Sequence, residues 1–331
     1  MAGLGKIAIL GGGSWATALA KIVLCNTEQI NWYIRKPEQI EEFRRLGHNP
    51  SYITDAHFDT EKITFFSDLN AAVEASDLLI FATPSPFLKQ LLEHLTVPLS
   101  DKTILTGIKG IVPGENMLVS NYFSKYHNIA PERIACVGGP CHAEEVALER
   151  LSYLTIACPD LQLATEIAEA FATPYIRTTP SIDVIGIEVC AILKNVYAIA
   201  TGICHSLKYG DNFRAVLVAS ALREMNHLAQ KIYPIVRVVN ESAYLGDLLV
   251  TAYSIFSRNY TFGTMIGRGY SVQAAQMEMG MIAEGYYATK CIHEINEKVD
   301  AQIPILDTIY QILYRNADAK RAIHALSYIL R

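Results

Sequence analysis

A glycine-rich turn directly after the first apolar run is the feature that most constrains the fold of this chain. The run Ile7–Leu10 has the length of a strand, and the hexapeptide GGGSWA at residues 11–16 follows it without a gap. The spacing matches G-x-G-x-x-A, in which Gly11 permits a tight turn, Gly13 lets the backbone approach a pyrophosphate, and the small Ala16 lets the next helix lie close to the strand. The turn therefore predicts a dinucleotide site, although a glycine-rich turn that fits by chance remains an alternative.

The order of the apolar runs predicts two domains. Runs without polar alternation suit strands that are covered on both faces, as in a doubly wound parallel sheet. Such runs occur at residues 7–10, 30–34, 78–82, 104–106, 134–137, 153–157 and 175–178. After about residue 181 the apolar residues recur at helical spacing. We expect an α/β fold, with a Rossmann-like, doubly wound, mostly parallel sheet over residues 1–181 and an all-α domain over residues 182–331. No flexible linker separates the halves, so we expect the domains to pack directly and to leave a cleft.

Composition excludes several classes of function. The formal net charge is −5 and no basic stripe is present, so nucleic acid is not an expected partner. The seven cysteines are scattered and form no C-x-x-C pair, which indicates reduced thiols and no metal site. The chain shows no export signal and no uninterrupted apolar stretch of membrane-spanning length, so we expect a soluble, cytoplasmic protein.

The residues after the second predicted strand bear on the choice of cofactor. A free ribose 2′-hydroxyl usually meets an acidic side chain there, but this chain has Arg35 and Lys36. A guanidinium suits a 2′-phosphate, so the sequence favours NADP(H), with NAD(H) possible. An ordinary solvated basic pair is the alternative.

Two apolar segments each carry a single charged residue. Residues 189–204 contain only Lys194, and residues 244–256 contain only Asp247. At about 100° per residue, Lys194 lies nearly opposite the apolar stripe of its helix, on a face too small and apolar for solvated surface. Burial disfavours the ammonium form and lowers the pKa of a lysine, which suits proton exchange near neutral pH. We expect Asp247 to pair with Lys194. A lysine that extends to water, and an aspartate that only caps a helix after Gly246, remain the alternatives.

Three further segments are candidate ligand loops. Residues 257–259, SRN, offer hydroxyl, guanidinium and amide donors that suit a substrate phosphate, with glycines close by in sequence. Lys109 in the turn at residues 107–110, and the glycine-rich turn at residues 138–143, follow predicted strands where a doubly wound sheet meets its ligand crevice. Plain turns or a polar interhelical loop would have similar sequences.

Together these motifs resemble bacterial-type NAD(P)-dependent glycerol-3-phosphate dehydrogenase, from residue 7 to about residue 290. The segments GGGSWATALA, the Lys109 turn, GGPCHAEEVA, GIEVCAILKNVYAIATGI, LGDLLVT and SRNYTFG occur in that family's order. The resemblance implies a homodimer without a metal ion. It also implies reversible reduction of dihydroxyacetone phosphate to sn-glycerol 3-phosphate by hydride transfer from NAD(P)H, which supplies glycerol phosphate for phospholipid synthesis.

The resemblance further implies a role for each matching residue. Lys194 would protonate the carbonyl oxygen as hydride arrives and act as the base in reverse, Asp247 would orient Lys194, and Lys109 would lie near the reacting oxygen. The implied substrate contacts are Lys109, Gly139, Cys141, Lys194, Asp247, Ser257, Arg258 and Asn259. The implied cofactor contacts are Gly11, Gly13, Ser14, Trp15, Arg35, Lys109, Ala143, Arg258, Ala283 and Glu284.

Several positions depart from the family pattern. Ala16 replaces a more common glycine, Gly138 stands where serine is frequent, and Cys141 with His142 replaces a small hydroxyl residue and an aromatic one. Tyr260 stands where a basic residue is often found. Cys141 therefore puts one substrate hydroxyl contact in question, and Tyr260 is expected to weaken phosphate binding.

Two other functions remain open from the sequence alone. A reductase of the ketopantoate or β-hydroxyacid type also joins a Rossmann domain to a helical domain and uses a lysine. A dinucleotide-binding sensor without catalysis would keep the first turn and would not need Lys194. A carboxylate substrate requires a carboxylate clamp, whereas the donors at residues 257–259 and Lys109 better suit a phosphate.

Overall fold

The computed structural model describes residues 3–254, 257–280 and 283–330. It divides into two compact units, Met1–Ile108 with Val119–Val184, and Lys109–Leu118 with Ile185–Arg331. The segment Lys109–Leu118 lies in the first half of the sequence but belongs to the second unit. A single domain boundary between residues 181 and 182 does not account for this segment.

An eight-stranded sheet forms the centre of the first unit. The strands of the chain are β1 (Ile7–Leu10), β2 (Ile30–Tyr33), β3 (Ile63–Phe66), β4 (Leu78–Phe81), β5 (Thr103–Thr106), β6 (Ile111–Val112), β7 (Met117–Leu118), β8 (Ile134–Gly138), β9 (Ser152–Ala157) and β10 (Ile176–Ser181). The sheet order is β10-β9-β8-β5-β4-β1-β2-β3, and every pair is parallel except β8 with β9. The mostly parallel sheet expected from the sequence is confirmed, and each of the seven predicted runs contributes a strand. Strand β3 was not predicted.

Helices cover this sheet, which explains why its strands are apolar throughout. They are α1 (Ser14–Leu24), α2 (Pro37–Leu46), α3 (Leu69–Glu74), α4 (Leu88–Glu93), α5 (Val119–His127), α6 (Ala143–Ala147) and α7 (Leu161–Phe171). All four residues of β1, β2 and β4 are buried. Trp32 packs edge-on against Phe43 and Phe58 on one side of the sheet, with ring centroids 5.2 and 5.6 Å away.

The connections place a ligand crevice between β1 and β4. From β1 the chain proceeds to β2 and β3 on one side, then crosses back to β4 and β5 on the other. Ligands of open α/β sheets bind outside the carboxyl ends of the strands where the order reverses in this way. The glycine turn follows β1 at this point.

In its described residues the second unit contains the short antiparallel hairpin of β6 and β7 and, apart from loops, is helical. Its helices are α8 (Val184–Ser206), α9 (Asp211–Ile232), α10 (Asp247–Tyr253), α11 (Arg258–Gly267), α12 (Val272–Met279), α13 (Glu284–Val299), α14 (Pro304–Tyr314) and α15 (Ala319–Ser327). The predicted helical C-terminal half is confirmed. Helix α8 is long and apolar enough to cross a membrane, but 94% of its most apolar window is buried inside the protein, as in the core helix of a compact domain.

Glycines let α11 pack directly on α8. A Cβ atom on Gly263 would lie 2.1 Å from the carbonyl oxygen of Ile199, and one on Gly202 would lie 2.2 Å from that of Tyr260. Gly202 and Gly263 therefore permit close helix packing in the structure.

Candidate active site

The glycine turn of the first unit is built to receive an anion. Gly11 has a φ of +137°, which favours glycine, and Gly13 is the N-cap residue of α1. All three glycine carbonyls accept hydrogen bonds from the protein: Gly11 from Trp32 Nε1, Gly12 from Asn49 Nδ2, and Gly13 from the Thr17 amide and hydroxyl. With the carbonyls held in this way, the amides at the start of α1 are the groups available to a phosphate.

The surroundings of the turn fit a dinucleotide. A Cβ atom on Gly13 would meet no atom of the described residues within 4 Å, so the backbone is accessible there, whereas one on Gly11 would lie 3.0 Å from the Ala82 carbonyl. Thr83, which follows β4 across the crevice, has a buried Oγ1 that makes no hydrogen bond within the described part of the chain. No acidic residue lies in the first turn of α1 to repel a phosphate.

Two other predicted cofactor residues lie close to this turn. A Cβ atom on Gly107, after β5, would lie 2.7 Å from Trp15 Nε1, so the indole packs against that strand end. Ala143 begins α6, which packs against α1, and Ala16 of α1 is buried. Arg35 and Lys36 are exposed after β2, with no acidic side chain at the end of that strand.

The turn after β8 holds two of the departures from the family pattern. Gly139 has a φ of +117°, and a Cβ atom there would lie 2.4 Å from the Tyr153 carbonyl, so only glycine fits. The buried Cys141 thiol donates to the Gly139 carbonyl at 3.3 Å, a bond that a serine hydroxyl would also make. Cys141 therefore stabilises this turn, and its contact with substrate stays a prediction.

The predicted pair of lone charges is present in the second unit. Lys194 in α8 is 4% exposed and Asp247 in α10 is 2% exposed, and Lys194 Nζ donates to Asp247 Oδ1. Asp247 is the first residue of α10, but its carboxylate contacts lysines, so it does not act as the helix cap that was the alternative. The same face of α8 carries Thr201, whose hydroxyl donates to the Ala252 carbonyl of α10.

Lys109 brings a second ammonium to the same carboxylate. Its Nζ lies 4.0 Å from Asp247 Oδ2, an oxygen with no hydrogen bond in the described part of the chain, and its side chain is 19% exposed. A π-helical turn over Ser242–Gly246 leads into Asp247. Such turns are rare and are frequent at functional sites. Two lysines around one carboxylate leave a net positive charge, which suits an anionic substrate.

A chain of buried amides, not predicted from the sequence, joins this cluster to two other segments. Asn195 Nδ2 donates to the Lys109 carbonyl at 3.1 Å, and Asn259 Nδ2 donates to Asn195 Oδ1 at 3.0 Å. The Gly285 amide then donates to Asn259 Oδ1 at 2.9 Å. The signal in the sequence was Asn195 itself, the only amide side chain in the apolar helix and adjacent to Lys194. Thr251, whose hydroxyl donates to the Asp247 carbonyl at 2.7 Å, was also missed.

The start of α11 carries the three residues that were predicted to bind the substrate phosphate. Ser257 is its buried N-cap residue and accepts a hydrogen bond from the Tyr260 amide, while the guanidinium of Arg258 is exposed.

The predicted cofactor residues Ala283 and Glu284 form the N-cap and first residue of α13, directly before Gly285. Among the described residues, no three His, Cys, Asp or Glu side chains are grouped as metal ligands.

Comparisons with known proteins match both units. The model described as NAD-dependent glycerol-3-phosphate dehydrogenase N-terminus matches residues 6–164, and the corresponding C-terminus model matches residues 183–324. The glycerol-3-phosphate dehydrogenases (NAD(P)+) of Streptococcus sanguinis and Lysinibacillus sphaericus are each 32% identical over 325 residues, which cover 97% of this chain and 95% of each relative. The crystal structure of glycerol-3-phosphate dehydrogenase from Coxiella burnetii is 29% identical, with 98% of both chains covered and a TM-score of 0.88.

Proposed function

This chain belongs to the NAD-dependent glycerol-3-phosphate dehydrogenase family, and we propose that it interconverts dihydroxyacetone phosphate and sn-glycerol 3-phosphate. The observation that carries the proposal is the buried pair of Lys194 and Asp247 with Lys109 beside it. The nicotinamide dinucleotide, when bound, supplies hydride to the carbonyl carbon. The residues of the chain hold the substrate and move the proton.

Lys194 is the proton donor of the reduction. Its ammonium gives a proton to the carbonyl oxygen as the carbon accepts hydride, which leaves an alcohol and a neutral amine. Asp247 stabilises the ammonium form despite burial and fixes the direction of Nζ. In the oxidation direction, the neutral amine accepts the proton of the hydroxyl.

Lys109 stabilises the charge that develops on the same oxygen. A second ammonium that is fixed beside the carboxylate opposes a developing oxyanion without reorganisation, and such preorganised charge is a large term in catalysis. Asn195 contributes by holding the Lys109 backbone through its side-chain amide.

The phosphate of the substrate is bound at the start of α11. Backbone amides at a helix N-terminus and the exposed Arg258 guanidinium both suit a phosphate, and Ser257 and Asn259 frame the same turn. Gly139 is proposed as a further contact, on the family resemblance. Tyr260 carries no charge at a position where the family often has a basic residue. Burial raises the pKa of Tyr260, and the nearby Arg214 of α9 lowers it.

We propose NADP(H) as the preferred cofactor, because Arg35 and Lys36 replace the acidic residue that would bind a ribose 2′-hydroxyl. The family resemblance supports a cytoplasmic homodimer that supplies glycerol phosphate for phospholipid synthesis.

A steady-state assay tests the proposal. Wild type should oxidise NADPH with dihydroxyacetone phosphate and not with ketopantoate. Lys194→Ala should lower kcat by about 10² to 10⁴, with little change in NADPH affinity. Lys290→Ala is the control, because this lysine is half exposed and forms an ion pair with Glu294 of the next turn, away from the Lys194 cluster. Full turnover by Lys194→Ala would contradict the proton-transfer role, and NADPH binding without turnover by wild type would favour a sensor.

A further inference from the structure

Glu224 is a buried carboxyl that the reaction described above does not use. It lies in α9 and is 5% exposed. Ile305 N donates to its Oε1 at 2.7 Å, and Leu306 N donates to its Oε2 at 3.4 Å. Helix α14 has no side-chain cap from its own N-cap residue, Ile303, and its first residue, Pro304, lacks an N–H. Glu224 therefore caps α14 from a neighbouring helix.

Tyr197 connects this carboxyl to the helix that carries Lys194. Tyr197 is fully buried in α8, and its hydroxyl donates to Glu224 Oε2 at 3.1 Å. It follows Lys194 by three residues, so the two side chains leave α8 on neighbouring parts of its surface. One carboxyl thus joins α8, α9 and α14 inside the second unit.

A carboxyl destabilises such an interior unless its hydrogen bonds are formed. Burial raises the pKa of Glu224 to about 8, even though the two amides and Tyr197 lower it, and Asp307 adds to the rise. Burial, followed by Glu224, also raises the pKa of Tyr197. Cys190 of α8 adds to that rise, and the imidazole of His293 in α13 lies 3.2 Å from Asp307. An apolar or amide side chain would fill this space with a smaller free-energy penalty than a carboxyl. The hydrogen bonds of the carboxyl therefore indicate a role beyond filling the core.

We propose that Glu224 is a positioning residue for the dehydrogenase: through Tyr197 it fixes α8 so that Lys194 Nζ is held against Asp247. The inference rests on the proposed function, because it concerns proton transfer by Lys194. The bond between Tyr197 and Glu224 connects α8, through the carboxyl, to the first turn of α14. A shift of about 1 Å at a reacting group is enough to cost on the order of 10²-fold in rate.

Tyr197→Phe is the first test, because it keeps the ring and the Glu224 carboxyl and removes only the hydroxyl. We expect kcat for dihydroxyacetone phosphate to fall about tenfold, with KM and the NADPH dissociation constant within about twofold of wild type. The alkaline limb of the kcat profile should also move to lower pH, because an ammonium displaced from Asp247 is less stabilised. Glu224→Gln, which keeps the shape, should change kcat and the pH profile in the same direction.

Tyr175→Phe is the matched control. It removes a buried hydroxyl that contacts Cys25 in the first unit, and it should leave kcat and the pH profile unchanged. All variants are compared at a temperature where circular dichroism shows them folded. If Tyr197→Phe and Glu224→Gln have lower thermal midpoints but wild-type kcat and pH profiles, the positioning role of Glu224 is overturned and the proposed function is not. Absence of wild-type turnover would overturn the proposed function and this inference together.

Discussion

Asp247→Asn isolates the charge of the buried cluster, because asparagine has the shape of aspartate and keeps an oxygen toward Lys194. The substitution leaves the two ammonium groups of Lys194 and Lys109 beside a neutral amide. Both side chains are largely buried, at 6% and 19% exposed, so water compensates little for the lost carboxylate.

Two independent estimates give the expected loss in the free energy of unfolding. Removing one partner of a buried ion pair costs about 3–5 kcal/mol. Lys194 escapes the penalty only by losing its proton, and deprotonating a lysine of ordinary pKa, about 10.4, costs about 5 kcal/mol at pH 7. The two estimates agree, so we expect the free energy of unfolding of Asp247→Asn to be about 3–5 kcal/mol lower than that of wild type at pH 7.

The sign of the pH dependence distinguishes this explanation from a packing defect. In folded Asp247→Asn the Lys194 amine is buried beside Lys109 without a carboxylate, whereas in the unfolded chain it is solvated, so we expect the unfolded chain to bind more protons. The stability of the variant therefore rises with pH until the ordinary lysine pKa is reached, and the gap to wild type narrows. Urea unfolding followed by circular dichroism at pH 7 and pH 9.5 measures this gap.

Activity should fall in parallel, because a neutral Lys194 cannot donate a proton. We expect kcat to drop by about 10² or more, and NADPH affinity to change much less. Asp211→Asn is the control, since its carboxylate is 93% exposed beside Arg214 and should contribute less than about 1 kcal/mol. An Asp247→Asn protein with wild-type stability at pH 7, or with a stability gap that does not narrow at pH 9.5, would show that the Asp247 charge does not stabilise the buried lysines.

Three further predictions concern the cofactor, the interior and the helix packing. Arg35→Ala should raise the dissociation constant of NADPH much more than that of NADH in fluorescence titrations, and an equal effect would reject the 2′-phosphate assignment. Burial raises the pKa of Glu224 from 4.5 to about 8. The folded state therefore binds more protons over that range, and urea unfolding should show stability falling from pH 5 to pH 8 by up to about 4 kcal/mol, a fall that Glu224→Gln should flatten. Gly263→Ala should lower stability by about 1–3 kcal/mol, because its Cβ would overlap the Ile199 carbonyl, whereas Gly210→Ala, with no atom within 4 Å, should be tolerated.

The sheet could be predicted where its strands are covered on both faces. Strands such as β1 and β4 are buried at every residue, so an uninterrupted apolar run is their direct signature. Strand β3 is the edge strand beside β2, and its residues alternate between buried and half-buried. An edge strand that is half covered gives a weaker signal, which is why ITFF was missed.

The excursion of Lys109–Leu118 into the second unit could not be predicted from local sequence. The hairpin of β6 and β7 has strands of two residues each, too short for any periodicity. What places it are contacts with distant residues, such as the hydrogen bond from Asn116 to Glu294 of α13 and the bond from Asn195 to the Lys109 carbonyl. The glycine turn before it indicated a ligand loop, and no pattern within the loop indicated which unit it joins.

In the candidate site, the charged residues could be predicted from the sequence, whereas the neutral polar groups could not. A charge in an apolar helix is so unfavourable that it favours a partner, and Asp247 was the lone opposite charge of a second apolar segment. A buried amide carries a smaller penalty and is satisfied by any backbone group within reach, so Asn195 and Asn259 pointed to no particular partner. The charged pair could therefore be inferred from composition along two helices, whereas the amide chain that positions Lys109 depends on three-dimensional proximity. For the same reason Glu224, a charge in a helix with many other charges, gave no signal until the fold placed it against Tyr197 and the first turn of α14.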